Sequence, residues 1–116
     1  RAVRFVAASI GTMSGGEIFI PKMPAIAVVD LAKALAPDHD IIFTGRRPGE
    51  KVAETIISEH ETARTLDIAD LYVIQPEFPW WEKHNWWQGT KCGLDSYSSA
   101  NATRLTVEQL KEMHKL

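Results

Sequence analysis

The stretch Gly45-Arg46-Arg47-Pro48-Gly49-Glu50-Lys51 places three cations, one anion and two glycines around a proline. Such residues suit the binding of an anion, phosphate above all. Glycines let the backbone approach closely, a helix start offers unpaired N–H groups, and an Arg guanidinium grips phosphate oxygens with a forked donor pair. The stretch lies between an apolar run, Ile41-Ile42-Phe43, and an amphipathic one, Val52 to Ile57. The run predicts a strand over 40–44 and the amphipathic piece a helix over 50–57, so the basic loop would sit where strand gives way to helix. A basic surface turn, with Glu50 and Lys51 solvated at the helix start, accounts for the same residues without a ligand.

Three other places hold chemistry-bearing side chains. Pro21 and Pro24 bracket Lys22 in an extended, rigid link, which either pre-positions a cation or supplies an edge-strand lysine that discourages sheet pairing. His60 stands between Glu59 and Glu61, and adjacent residues on a polar connection (58–61) read as a solvated turn rather than a metal site or proton relay. All four tryptophans, Trp80, Trp81, Trp86 and Trp87, fall within eight positions. That segment suits a lid, a sugar-stacking platform or a subunit contact, or rings folded back over the edge of a small core.

The elements that must position these groups follow from periodicity. Apolar residues at Val3, Val6, Ala7, Ile10 and Met13, with Phe5 alongside, predict a helix over 1–13, stopped by Ser14-Gly15-Gly16. Glu17 to Ile20 reads as a strand. Ala25 to Val29 is extended, and Asp30 starts a helix to Leu35 as a first-turn acid or cap. Thr62 to Ile68 and Leu71 to Ile74 read as strands able to form a hairpin, and 89–99 as loop. Thr106-x-x-Gln109 matches a capping box that opens a last helix to about Met113.

Composition sets the outer bounds. The chain has 116 residues, 45% apolar and 24% charged, which fits one globular domain (1–116) with a modest core. Its net charge of -2, with no basic block, argues against a general nucleic-acid binder. No membrane-spanning run or signal peptide is visible, and the single Cys92 has no partner for an internal disulfide or a Cys-based metal site, so a cytoplasmic location is expected. The chain opens on Arg1, inside an apolar-periodic segment, as expected if residues lie upstream or if it is a piece of something longer.

Several catalytic signatures are missing. No Gly-x-Gly-x-x-Gly follows a strand, no Tyr-x-x-x-Lys pair occurs (Tyr72 is followed by Pro76, Tyr97 by Asn101), and Walker, His-Glu-x-x-His and Gly-x-Ser-x-Gly motifs are lacking. No residue is therefore assigned as catalytic, and none as a metal ligand.

Taken together, Gly16-Glu17-Ile18-Phe19-Ile20-Pro21-Lys22-Met23-Pro24, Asp30-Leu31-Ala32-Lys33-Ala34-Leu35 and Arg47-Pro48-Gly49-Glu50-Lys51 resemble the C-terminal part of the UDP-N-acetylglucosamine 4,6-dehydratases of polysaccharide biosynthesis. These lyases are extended short-chain dehydrogenase/reductase enzymes. Tyr72-Val73-Ile74 before its proline, and Tyr97-Ser98-Ser99 with Asn101, match more weakly. The resemblance implies that Arg47 helps hold the diphosphate of a UDP-sugar. It implies that Glu50 contacts ribose or uridine or orients Arg47, and that Lys22 is a further diphosphate candidate. Arg46 stands where the family often has an apolar residue. The chain also departs at Ala53, where a His is common, and at Val29, where a hydroxyl residue is common. It implies too that the NAD site and the catalytic Tyr and Lys belong to a Rossmann region that this chain lacks, so no cofactor is expected here.

The expected fold is α/β (α+β): a small mixed sheet with three or four helices, like the C-terminal substrate-binding region of extended short-chain dehydrogenases. The expected function is that of a truncated, UDP-sugar-binding part of a nucleotide-sugar dehydratase, inert alone. The alternative is an independent structural protein without a ligand, a homo-oligomer that buries the tryptophan segment.

Overall fold

The computed structural model describes residues 2–81, 86 and 88–114, and for His114 the backbone only. The chain divides into two compact units, Arg1–Lys22 with Thr55–Tyr97, and Met23–Glu54 with Ser98–Leu116. Helices and sheet make up the first, so the expected α/β (α+β) class is met, but its four-stranded sheet is antiparallel and not of the mixed direction expected.

In the first unit, helix α1 (Ala2–Thr12) leads through Ser14-Gly15-Gly16 into strand β1 (Ile18–Pro21). After the second unit's first segment, which holds helix α2 (Val28–Leu35), come β2 (Thr55–Ile57), a one-turn helix α3 (Glu59–Thr62), β3 (Thr65–Ile68), β4 (Leu71–Ile74), β5 (Thr90–Lys91) and β6 (Tyr97–Ser98), of which Ser98 already belongs to the second unit. The four-stranded sheet runs β1-β4-β3-β5, antiparallel throughout, and β2 pairs with β6. Strand β4 is the centre. Tyr72, Val73 and Ile74 are all buried, so both of its faces are covered. Register puts Ile20 and Asp67 beside Tyr72 on one face, and Phe19 and Leu66 beside Val73 on the other. Tyr97 packs on Tyr72 (5.2 Å), and Trp86 meets Phe19 edge-on (5.3 Å, 66°). Pro21 is tolerated because β1 lies at the end of the sheet.

A buried carboxylate ties the entry of β1 to the tryptophan segment. Glu17 is 9% exposed, and it accepts hydrogen bonds from the Ser14 N–H (2.7 Å), the Gly15 N–H (2.7 Å) and the Trp86 Nε1–H (2.8 Å). Gly15 turns with φ +112°, which aims its N–H back at that carboxylate. Burial pushes the Glu17 pKa up, but the bonds from Trp86, Ser14 and Gly15 outweigh it and hold the group below its ordinary value of 4.5.

In the second unit, α2 (Val28–Leu35) packs on α4 (Val107–His114), burying Ala34 and Leu110. A parallel bridge joins Ala25 to Arg104: the Ala25 N–H donates to Thr103 O and the Leu105 N–H to Ala25 O, both at 2.8 Å. The capping box at α4 forms as expected. The Thr106 N–H donates to Gln109 Oε1 (2.9 Å), and the Gln109 N–H to Thr106 Oγ1 (3.2 Å).

Several sequence expectations are corrected. No strand forms over 40–44; Ile42 and Phe43 are 83% and 78% exposed, because an apolar run without a partner ladder has no sheet to join. No helix spans 50–57. Thr55-Ile56-Ile57 is β-branched at each position and enters strand β2, which buries Ile57 completely. The supposed connection at 58–61 is instead a capping box that opens α3: Glu61 Oε2 accepts from the Ser58 N–H (3.0 Å) and Oγ–H (2.7 Å). Helix α2 starts at Val28, two residues before the expected start, so Asp30 is the expected first-turn acid and not the cap; the N-cap Ala27 supplies no side-chain cap. The 89–99 stretch contains β5 and β6.

Two predictions follow from this packing. Glu17→Ala should cost about 2 kcal/mol or more in urea unfolding, since it leaves three donors unpaired and removes charge-assisted bonds. Because the folded pKa is depressed, this contribution is present above the ordinary value of 4.5 and is lost as pH falls through the lower folded value. The wild-type chain should therefore lose stability below about pH 4.5 more steeply than Glu17→Ala. In the β3–β4 hairpin loop, Ala69 holds φ +47°, a left-handed value that disfavours a Cβ. Ala69→Gly should raise the unfolding free energy by up to about 1 kcal/mol, and a loss of stability would contradict this account of the turn.

Candidate anion-binding site

Pro48 at the second position and Gly49, with φ +85°, at the third make Arg47-Pro48-Gly49-Glu50 a turn of the type II class. Two hydrogen bonds close it. The Glu50 N–H donates to Arg47 O (3.1 Å), and the Arg47 N–H donates to Glu50 Oε2 (2.8 Å). Glu50 thus spends a carboxylate oxygen on the Arg47 backbone and orients the turn from which that arginine projects. Arg46, Arg47 and Glu50 are all exposed. Among the described residues no ion pair involves either arginine. Since no helix follows the turn, no helix dipole contributes there, and the cationic character of the site comes from side chains alone.

Two hollows adjoin this region within the second unit. One, of about 390 Å³, is lined by Val29, Ala32, Ile42, Phe43, Gly45 and Arg46 among others. The other, of about 380 Å³, is lined by Val28, Val29, Val52, Ala53, Ser99 and Arg104 among others. The departures at Val29 and Ala53 therefore lie on the wall of a hollow. Ser99 is held there by donating-group geometry of the backbone: the Glu54 N–H donates to Ser99 Oγ (3.1 Å), and the Ser99 N–H to Glu54 O (3.0 Å). Asn101 Oδ1 locks the preceding turn by accepting from the Ser98 N–H (2.8 Å) and Oγ–H (3.2 Å). Arg104 was not singled out by the sequence. Its signal was weak, a lone cation two residues before a capping box, and only the Ala25 bridge brings it to the hollow.

Lys22 belongs to the first unit and is already engaged. Its Nζ lies 2.6 Å from Asp67 Oδ1 and 4.8 Å above the Tyr72 ring, while its N–H donates to Asp70 O (2.9 Å). The hydrogen bond to Asp67 raises the lysine pKa, so it stays protonated. The two side chains are 33% and 35% exposed, and a pair so solvated contributes at most about 1 kcal/mol. A phosphate arriving at Lys22 would meet the Asp67 carboxylate beside it. Burial, meanwhile, pushes the Tyr72 pKa up.

The described tryptophans differ in exposure. Trp86 is buried against Phe19 and Glu17, Trp81 is half-buried, and Trp80 is 71% exposed and stacked on Phe78 (5.0 Å, 7°). Trp87 lies outside the described residues. His60 sits on α3, strongly exposed and 3.6 Å from Glu59. Among the described residues no group of His, Cys, Asp and Glu could hold a metal ion, and no helix is long and apolar enough to cross a membrane.

Comparison with known proteins places this architecture. Residues 1–76 match the family described as "Polysaccharide biosynthesis protein". The UDP-N-acetylglucosamine 4,6-dehydratase (inverting) of Campylobacter jejuni is 41% identical over 83 residues, which is 72% of this chain and 25% of that protein. The UDP-glucose 4-epimerase of Rickettsia canadensis is 35% identical over 105 residues, 84% of this chain and 31% of that protein. Among solved structures, "X-ray structure of Pen from Bacillus thuringiensis" shares the fold with a TM-score of 0.78 at 24% identity, covering 97% of this chain and 34% of that one. The resemblance read from the sequence is met. The chain spans about a quarter to a third of the length of these proteins.

The turn geometry yields one prediction. Gly49→Ala forces a Cβ into φ +85° and should cost roughly 1 kcal/mol or more, with displaced amide resonances from Arg47 to Glu50. Gly93→Ala, at a position with open space around the added Cβ and no positive φ, serves as the control and should change stability by less than about 0.5 kcal/mol.

Proposed function

The chain belongs to the polysaccharide biosynthesis protein family, and from that premise we propose that it is the UDP-sugar-binding region of a nucleotide-sugar dehydratase. In this reading Arg47 grips the diphosphate, Glu50 holds the turn that presents it, and Arg46 adds positive potential at the rim of the adjoining hollow. The observation that carries the reading is the self-closed Arg47–Glu50 turn, which projects an arginine with no ion-pair partner among the described residues. Arg104, on the second hollow of the same unit, is a further cation for the nucleotide. Lys22 is the weaker diphosphate candidate, because Asp67 offsets its charge.

The region binds and does not catalyse by itself. Its sequence carries no Tyr-x-x-x-Lys pair and no dinucleotide-binding glycine run, and the reaction of its relatives would draw on the remaining two thirds or more of their length. Affinity for UDP alone is expected to be modest, since an exposed turn loses part of its binding free energy in becoming ordered.

Titration with UDP and UDP-N-acetylglucosamine at low salt, followed by tryptophan fluorescence and amide resonances, tests the proposal. Saturable shifts at Gly45 to Lys51 are expected, with at least about tenfold weaker binding in Arg47→Ala. No response at millimolar ligand, or equal binding by the variant, would overturn the assignment.

A further inference from the structure

We infer that the hollow of about 390 Å³ beside the Arg47 turn takes the base of a nucleoside diphosphate, stacked on Phe43 and only weakly selected by base type. This use of the hollow rests on the nucleotide reading of the turn, and it extends that reading from UDP to nucleoside diphosphates as a class. Phe43 lines the hollow and is 78% exposed, so its ring is largely uncovered. Val29 and Ala32 of α2, with Ile41 and Ile42, supply further apolar lining. A concave, mainly apolar site of about 300 Å³ or more is the usual setting for a small-molecule ligand.

The hollow is continuous with the anion site. Gly45 and Arg46 line it, and Arg46 runs directly into the closed turn that presents Arg47. Gly45 holds φ +82°, and a Cβ built there would meet nothing within 4 Å, so the backbone between the ring and the turn stands open to a ligand. Four residues separate Phe43 from Arg47 and span at most about 14 Å, which keeps the ring and the guanidinium in one neighbourhood. Charge narrows the choice of occupant. Arg46 and Arg47 are exposed, and among the described residues neither has an ion-pair partner. They repel a cationic partner, and a purely aliphatic one leaves both charges unused. A flat ring joined to phosphates uses the aromatic face and the arginines together.

Weak base selection follows from the lining. Stacking on an aromatic ring serves every base, because each has a π-face. Apart from Arg46, Thr44 carries the only polar side chain of the lining, and among the described residues it makes no hydrogen bond. A threonine hydroxyl rotates to donate or to accept, so it pairs with a carbonyl edge or a ring-nitrogen edge alike. Strong discrimination needs fixed polar groups that are left unpaired by the wrong ligand, and the aliphatic walls supply none.

Titration of the chain with pyrophosphate, UDP and ADP at low salt, followed by the amide resonances of 41–51, tests the assignment. UDP and ADP should each bind at least about fivefold more tightly than pyrophosphate, the gain from one stacked base. Their affinities should lie within about a hundredfold of each other. Phe43→Ala and Phe43→Leu should both lower the two nucleotides to the affinity of pyrophosphate and leave pyrophosphate itself unchanged, while Phe43→Trp should keep the gain. Because Phe43 is exposed, these variants should retain the wild-type circular dichroism. Nucleotides binding no tighter than pyrophosphate, a Phe43→Leu chain that binds like the wild type, or a wider gap between UDP and ADP would each overturn the inference. Self-association lost in Phe43→Ala would give the ring to a second copy and overturn it as well. Pyrophosphate binding that is lost in Arg47→Ala upholds the anion turn whatever the Phe43 variants do, so the two readings fail separately; no binding of any of the three ligands overturns both.

Discussion

Strand β4 is buried on both faces, and the first unit is arranged to satisfy that condition. A strand with Tyr72, Val73 and Ile74 all inside needs a partner on each edge and a layer above and below. The β1 and β3 ladders supply the edges, Tyr97 covers one face, and Phe19 with Trp86 covers the other. Trp86 can serve only if its indole N–H has an acceptor, since a buried donor left unpaired costs free energy. Glu17 is that acceptor, and the same carboxylate closes the turn from α1 into β1. One acidic residue in a run that otherwise reads as strand thereby links a loop, a strand entry and an aromatic contact far along the chain.

The Arg47 turn obeys a different logic. It lies in the second unit, is exposed, and owes its shape to local chemistry: a proline, a glycine at positive φ and a glutamate that folds back onto the backbone. Such a turn can form without a large core beneath it, so the guanidinium it carries stays presented although the surrounding 40–54 stretch has no regular structure. Lys22 is the contrast. Its ammonium is fixed by Asp67 and Tyr72, which makes it a better clip between β1 and the β3–β4 hairpin than an anion ligand.

Much of this was legible in residue order. Helix α1, strands β1, β3 and β4, the hairpin and the capping box at α4 follow from periodicity and short polar signatures, because each depends on neighbours a few positions away. The same capping-box signature at Ser58-x-x-Glu61 went unread, since the flanking His60 drew it toward a connection. The 40–44 strand and the 50–57 helix were misread for one shared reason. An apolar run reports that burial is favourable, not whether a partner exists, and Ile41 to Phe43 has no ladder to join while Thr55 to Ile57 does.

The sequence by itself determined the family, the turn that presents Arg47, and the elements whose signals are local. Only the tertiary structure decided that Asp67 occupies Lys22, that Glu17 anchors Trp86, that Arg104 reaches a hollow through Ala25, and that Val3, Val6 and Ile10 of α1 are left exposed. Those outcomes pair residues far apart in the chain, and no spacing rule over a few residues carries that information. They follow from packing, in which each buried polar group and apolar face takes the partner that the rest of the fold leaves within reach.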